Sequence, residues 1–138
     1  MSTDELIRLL APTSTNAERV RALLRLQLTP RMLAHATGCH SLSTLRNWST
    51  GQTQPREDAA LALDDLRLVA LTLLQGGLEP ERVGRWFASR DPGRFDGMRP
   101  FERFAVAPME VLAAAQGDAL RARAERQPSL ALVGEDGV

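Results

Sequence analysis

The spacing of apolar side chains along the chain is typical of helices. Val20, Leu23 and Leu24, for example, recur at intervals of three and four residues, which places them on one face of a helix. Helices are predicted over residues 4–11, 16–28, 30–37, 42–49, 57–74, 79–89 and 108–126, with a short helical turn from Pro100. Capping residues, glycine and proline separate these segments. No strand is predicted, so we expect an all-α fold.

Two short helices joined by a glycine turn are predicted at 30–37 and 42–49. Gly38 ends the first helix where a left-handed residue is needed, and Ser41 caps the second. Gly51 then ends the second helix. A pair of helices joined in this way defines a helix-turn-helix.

The second of these helices is predicted to have a polar outer face. Leu45 and Trp48 lie three residues apart and are expected to pack inward. The neighbouring side chains can bind DNA in the major groove, because asparagine pairs with adenine, arginine with guanine, and serine or threonine with either bases or phosphates. The predicted DNA-binding residues are Ser41, Leu42, Ser43, Thr44, Arg46 and Asn47. The alternative is an ordinary helical hairpin with polar caps.

The predicted helix 57–74 is apolar around more than one face, so we expect it to be buried on several sides. It is also the predicted surface for self-association into a homodimer or higher oligomer. A helix-turn-helix dimer binds two half-sites about 34 Å apart.

Length and charge refine this picture. The 138 residues suffice for one compact domain or two very small ones. Residues 1–55 carry six arginines and three acidic residues, whereas residues 56–138 carry eleven arginines and fourteen acidic residues. The first part therefore suits a polyanion and the second a protein partner. With no run of 18 apolar residues and no signal-peptide layout, a bacterial cytoplasmic protein without membrane contact is expected, nucleoid-associated when bound to DNA.

The sequence offers little for catalysis or metal binding. A zinc site would need four ligands, and no fourth accompanies His35, Cys39 and His40. Asp64 and Asp65 are adjacent on a helix, so their carboxylates point about 100° apart. Solvation, or pairing of these acids with Arg56 or Arg67, is the simpler interpretation. We expect no metal, no cofactor and no enzymatic activity.

The stretch TPRMLAHATGCHSLSTLRNWSTGQTQP resembles the Xre/Cro-like helix-turn-helix family, although its turn, GCHS, is one residue longer. The later stretch RVGRWFASRDPGRFDGMRPFERFAVAPMEVLAA resembles the toxin-binding domain of Xre/MbcA/ParS antitoxins. Its matching features are Trp86-Phe87, the Gly97-Met98-Arg99-Pro100 turn and Val111-Leu112. Together the two resemblances cover roughly residues 15–116.

A connecting and dimerisation helix is predicted in residues 57–77 and a flexible tail in 127–138. The resemblance implies a Cro-like helix-turn-helix bundle in residues 1–56 and a small toxin-binding-like helical domain in 78–126. It implies an antitoxin that represses its own promoter by binding operator DNA. It also implies that the chain neutralises a cognate toxin, typically a RES-domain enzyme that acts on NAD. The toxin-binding residues would be Trp86, Phe87, Arg94, Phe95, Arg99 and Phe101.

Three alternatives remain open. The aromatic residues of the second half can simply form the core of a small domain. The chain can be a stand-alone regulator whose C-terminal half only dimerises or senses a ligand. It can also be an interaction adaptor whose helix-turn-helix does not touch DNA.

Overall fold

The computed structural model describes residues 2–126, which form an all-α bundle and contain no strand. The all-α prediction is therefore confirmed. The eight helices in this range are α1 (Thr3–Leu9), α2 (Asn16–Arg25), α3 (Pro30–Thr37), α4 (Leu42–Thr50), α5 (Glu57–Gln75), α6 (Pro80–Ala88), α7 (Pro100–Phe104) and α8 (Pro108–Arg126). A single 3-10 turn spans Phe95–Gly97. The predicted tail, 127–138, lies outside the described residues.

Side-chain caps begin the first four helices. Thr15 and Glu18 form a capping box, in which the Thr15 hydroxyl accepts from the Glu18 N–H at 3.1 Å and the Glu18 carboxylate accepts from the Thr15 N–H at 2.9 Å. The Thr29 hydroxyl accepts from the Met32 N–H at 3.1 Å. These contacts satisfy N–H groups that have no partner within the helix.

The predicted end of the second helix is wrong. Helix α2 stops at Arg25 and not at Leu28, because Gln27 takes a left-handed conformation with φ of 74°. The chain then turns back, and the Leu28 N–H donates to the Leu23 carbonyl at 3.2 Å. Leu26 and Leu28 still reach the core from this turn, and both are buried.

Helix α5 occupies the centre of the bundle. It packs against α8, α2, α3, α6 and α1, so its apolar faces are covered by other helices of the same chain. Leu61 is the main exception and is 60% exposed. Intramolecular packing thus accounts for the apolar character of this helix, and self-association stays a prediction.

A single hydrophobic core runs through the described residues. Its buried members come from each of the three predicted segments that lie within residues 2–126, including Leu23 in 1–56, Leu66 in 57–77 and Phe87 in 78–126. Helix α3 also packs against α7, which links the first segment directly to the third. The three segments therefore share one packing unit.

Candidate functional site

Helices α3 and α4 occur where the helix-turn-helix was predicted. Gly38 ends α3 with φ of 76°, and Gly51 ends α4 with φ of 79°. The Cys39 N–H donates to the Ala34 carbonyl at 2.9 Å and so closes the end of α3. That the pair has the Cro-like arrangement stays a prediction.

The predicted inner face of α4 is confirmed. Leu45 is 3% exposed and Trp48 is 6% exposed, and α4 packs on α2 and α3. Two buried anchors one turn apart determine which side of the helix faces outward.

The outer face of α4 is polar and accessible. Ser43 and Arg46 are exposed, Thr44 and Asn47 are half-buried, and Leu42 is 52% exposed. Within residues 2–126 the side chains of Arg46 and Asn47 make no hydrogen bond or ion pair. A guanidinium and an amide that remain uncommitted at a surface can bond to base edges.

The first turn of α4 is already hydrogen-bonded. The Ser41 hydroxyl accepts from the Thr44 N–H at 3.3 Å and is 2.8 Å from the Ser43 hydroxyl. Ser41 thus acts as the helix cap, and its remaining bonding capacity is shared with Ser43. Of the six predicted residues, Thr44, Arg46 and Asn47 have side-chain polar groups with no hydrogen bond or ion pair within residues 2–126, and of these the guanidinium of Arg46 and the amide of Asn47 offer the most donors.

The predicted toxin-binding residues fall into different environments. Phe87 is fully buried and packs edge-on against Trp86, with ring centroids 5.2 Å apart. In this conformation Phe87 is inaccessible to a partner. Phe101 is half-buried against α3, where its ring meets His35 edge-on at 5.6 Å. Arg99 is exposed.

Trp86 and Arg94 meet at Asp118, a residue of α8 that is not among the predicted site residues. The Trp86 indole N–H donates to Asp118 Oδ2 at 2.7 Å. Arg94 donates to both carboxylate oxygens, at 3.0 and 2.8 Å, and Arg121 also contacts the carboxylate. In the sequence, the feature that could have drawn attention to Asp118 is its isolation, since it is the only acidic residue between Glu110 and Glu125.

These donors determine the charge state of Asp118. Burial by itself would raise the pKa of Asp118, but hydrogen bonds from Arg94 and Trp86 outweigh it, and the charges of Arg94 and Arg121 act in the same direction. The net result is a pKa below the usual value. The same pairing raises the pKa of Arg94. The ion pair therefore persists in mildly acidic solution and ties the segment before residue 95 to α8.

The segment that follows Arg94 has an unusual backbone. Phe95 and Asp96 both have φ of 56°, and Gly97 has φ of 80°. Left-handed conformations cost non-glycine residues about 1–3 kcal/mol each, so the surrounding contacts must hold the turn. On one side the Arg94 guanidinium lies 5.8 Å from the Phe95 ring centroid, and on the other Arg103 lies 3.7 Å from the Asp96 carboxylate.

The adjacent acids of α5 also have defined partners. Asp64 pairs with Arg67 at 2.7 Å, which confirms one of the predicted pairings, and with Arg19 at 3.2 Å. Burial and the charge of Asp64 raise the pKa of Asp65. Nowhere in residues 2–126 do three His, Cys, Asp or Glu side chains come close enough to hold a metal ion. None of the described helices is long and apolar enough to cross a membrane.

Comparisons with protein-family models, with curated proteins and with solved structures each gave no match. The family resemblance consequently rests on the quoted residues alone.

Proposed function

We propose that this chain is a DNA-binding antitoxin without catalytic activity of its own. In this proposal α4 reads an operator and represses the promoter of the chain, and the C-terminal half binds and neutralises a toxin protein. That the toxin is of the RES type follows from the sequence resemblance. The observation that supports DNA binding is the outer face of α4, where Arg46 and Asn47 have no internal partner while Leu45 and Trp48 anchor the helix.

The chemistry of this face suits the major groove. Asn47 can bond bidentately to adenine and Arg46 to guanine, and each such pair contributes about 1–3 kcal/mol of discrimination between bases. Ser43 can add a bond to a phosphate or a base. The operator would contain two half-sites if the chain binds DNA as a symmetric dimer, as Cro-like helix-turn-helix proteins do.

The test is DNA binding by the double variant Arg46→Ala, Asn47→Ala. We expect loss of binding to the DNA upstream of the protein's own gene, measured by fluorescence anisotropy at moderate salt, with the helical content unchanged. The matched control is Arg82→Ala, Gln75→Ala, which removes the same charge and one amide from exposed positions on α6 and α5. If the Arg46, Asn47 variant binds this DNA as tightly as the control does, α4 is not the recognition helix.

Toxin binding is supported by the left-handed turn at 95–97 and its surroundings. Arg94, the residue before the turn, is tied to Asp118, and within the turn the Asp96 carboxylate lies 3.7 Å from Arg103. A pre-organised surface segment binds a partner with a smaller entropic cost than a mobile one. Next to the turn, Arg99 is exposed and available to an acidic group. Trp86 and Phe87 would contribute by supporting this surface.

The second test is co-expression with the product of the adjacent gene. We expect a stable complex and relief of growth arrest, and we expect Arg99→Glu to weaken the complex while DNA binding is retained. Arg8→Glu, at an exposed position of α1, is the control for charge reversal. If the upstream DNA is bound but no neighbouring gene product associates, the chain is a stand-alone regulator instead.

A further inference from the structure

Arg21 of α2 makes a long-range contact with the C-terminal end of α4. Its Nη1 donates to the backbone carbonyl of Ser49 at 2.7 Å, across 28 residues of sequence. Ser49 lies in the last turn of α4, where carbonyl groups have no partner within the helix. Among residues 2–126, no backbone N–H donates to this carbonyl. Arg21 therefore completes the C-terminal cap of α4 from another helix.

This contact has two favourable components. A hydrogen bond from a charged donor is about twice as strong as one between neutral groups. The positive charge also lies at the negative end of the α4 dipole. With the Ser41 cap at the other end, α4 is fixed at both termini.

We infer that Arg21 is a positioning residue that sets the angle at which α4 lies on the bundle, and so determines which bases Arg46 and Asn47 reach. The inference rests on the proposed DNA-binding function of α4. Arg21 itself is not a base-reading residue in this inference, because one of its nitrogens is already committed to Ser49.

The dimensions of α4 make its angle sensitive to this contact. Nine residues make a helix about 14 Å long. If the Ser49 end shifts by about 2 Å while the Ser41 end stays fixed, the helix tilts by roughly 8°, and Arg46 and Asn47, about half-way along it, move by about 1 Å. Side chains of a binding site must stay within about 0.5 Å of their working positions. Loss of the Arg21 contact should thus weaken the reading of specific bases more than general attraction to DNA.

The experiment compares Arg21→Ala and Arg21→Lys with the unaltered protein on two probes. The first probe is the duplex that the unaltered protein enriches from a pool with 20 randomised base pairs, and the second is a random duplex of equal length. Arg25→Ala is the matched control, since Arg25 is exposed one turn further along α2 and has no hydrogen bond or ion pair within residues 2–126.

For Arg21→Ala we expect roughly tenfold weaker binding to the enriched duplex, about the loss caused by misplacing one bidentate base contact of Arg46 or Asn47. Binding to random DNA and the salt dependence should stay as in the control. Arg21→Lys should recover part of the specific affinity. Repeating the enrichment with Arg21→Ala should give relaxed base preference, a change that a loss of folding stability alone does not produce.

Two results would overturn the inference while leaving DNA binding by α4 intact. If both probes weaken alike and the salt slope falls by about one, Arg21 binds a phosphate instead. If Arg21→Ala matches Arg25→Ala on both probes, the contact with Ser49 does not set the angle of α4. By contrast, if the unaltered protein enriches no sequence, the proposed function itself fails and the role of Arg21 fails with it.

Discussion

Gly84 lies where α6 meets the end of α2 with no space for a side chain. Its N–H donates to the Leu26 carbonyl at 2.8 Å. A Cβ atom at this position would overlap the backbone carbonyl of Gln27 and lie 2.9 Å from the Gln27 Cβ. The backbone of Gly84 is helical, so the obstacle is space and not conformation. We predict that Gly84→Ala forces α6 away from α2 and destabilises the fold.

The loss of folding stability in Gly84→Ala follows from three contributions. Overpacking costs about 1–3 kcal/mol, and weakening of the Gly84 hydrogen bond adds about 1 kcal/mol. The better helix propensity of alanine offsets about 1 kcal/mol, which leaves a loss of about 1–3 kcal/mol. For a domain of this size the melting temperature should fall by roughly 3–10 °C. Val83 and Phe87, both fully buried beside Gly84, leave α6 little freedom to shift.

Thermal unfolding followed by circular dichroism measures this loss. Gly93→Ala is the control, since its Cβ would meet only Asp91 Oδ1 at an ordinary 3.5 Å. Its stability should change by no more than about 0.5 kcal/mol. If Gly84→Ala melts within 2 °C of that control, the close approach of α6 to α2 leaves room for a side chain at residue 84 and the predicted loss of stability is wrong.

Three further substitutions should change the free energy of unfolding in a direction that the structure predicts. Gln27→Gly should raise stability by about 1 kcal/mol in urea unfolding, because glycine adopts φ of 74° without strain; a loss would contradict this. The raised pKa of Asp65 means that the folded state loses stability as pH rises through that pKa, so Asp65→Asn should melt higher at pH 7 and equally at pH 3. The lowered pKa of Asp118 has the opposite effect on stability, because it favours the folded state when the carboxylate is charged. Its contribution is present above the unfolded pKa of about 3.9 and is lost as pH falls through the folded pKa, so Asp118→Asn should cost about 2 kcal/mol at pH 7 and less at pH 3. Equal cost at both pH values would argue against the ion pair.

Features with local causes could be predicted from the sequence. Helix starts at Pro30, Leu42 and Pro108 were predicted because caps and prolines act on the next few residues. The inward side of α4 was predicted because Leu45 and Trp48 are the only large apolar residues after Leu42 in that helix.

Features with distant causes could not be predicted. Helix α2 ends early because of the turn at Gln27, against which α6 packs from 57 residues further along. The Asp118 cluster escaped prediction for the same reason, since Arg94 and Trp86 are 24 and 32 residues away. The left-handed conformation of Phe95 also lacks a local signal, because a glycine or asparagine would normally indicate it.

The single core limits how the two proposed activities can be separated. Helix α3 packs against both α4 and α7, so a substitution in the core would disturb α4 and the C-terminal half together. A core variant that lost both activities would therefore say nothing about either site. Only surface positions can separate them, and Arg46 and Arg99 qualify because both are exposed. If each substitution abolishes one activity and spares the other, two independent surfaces on one core follow.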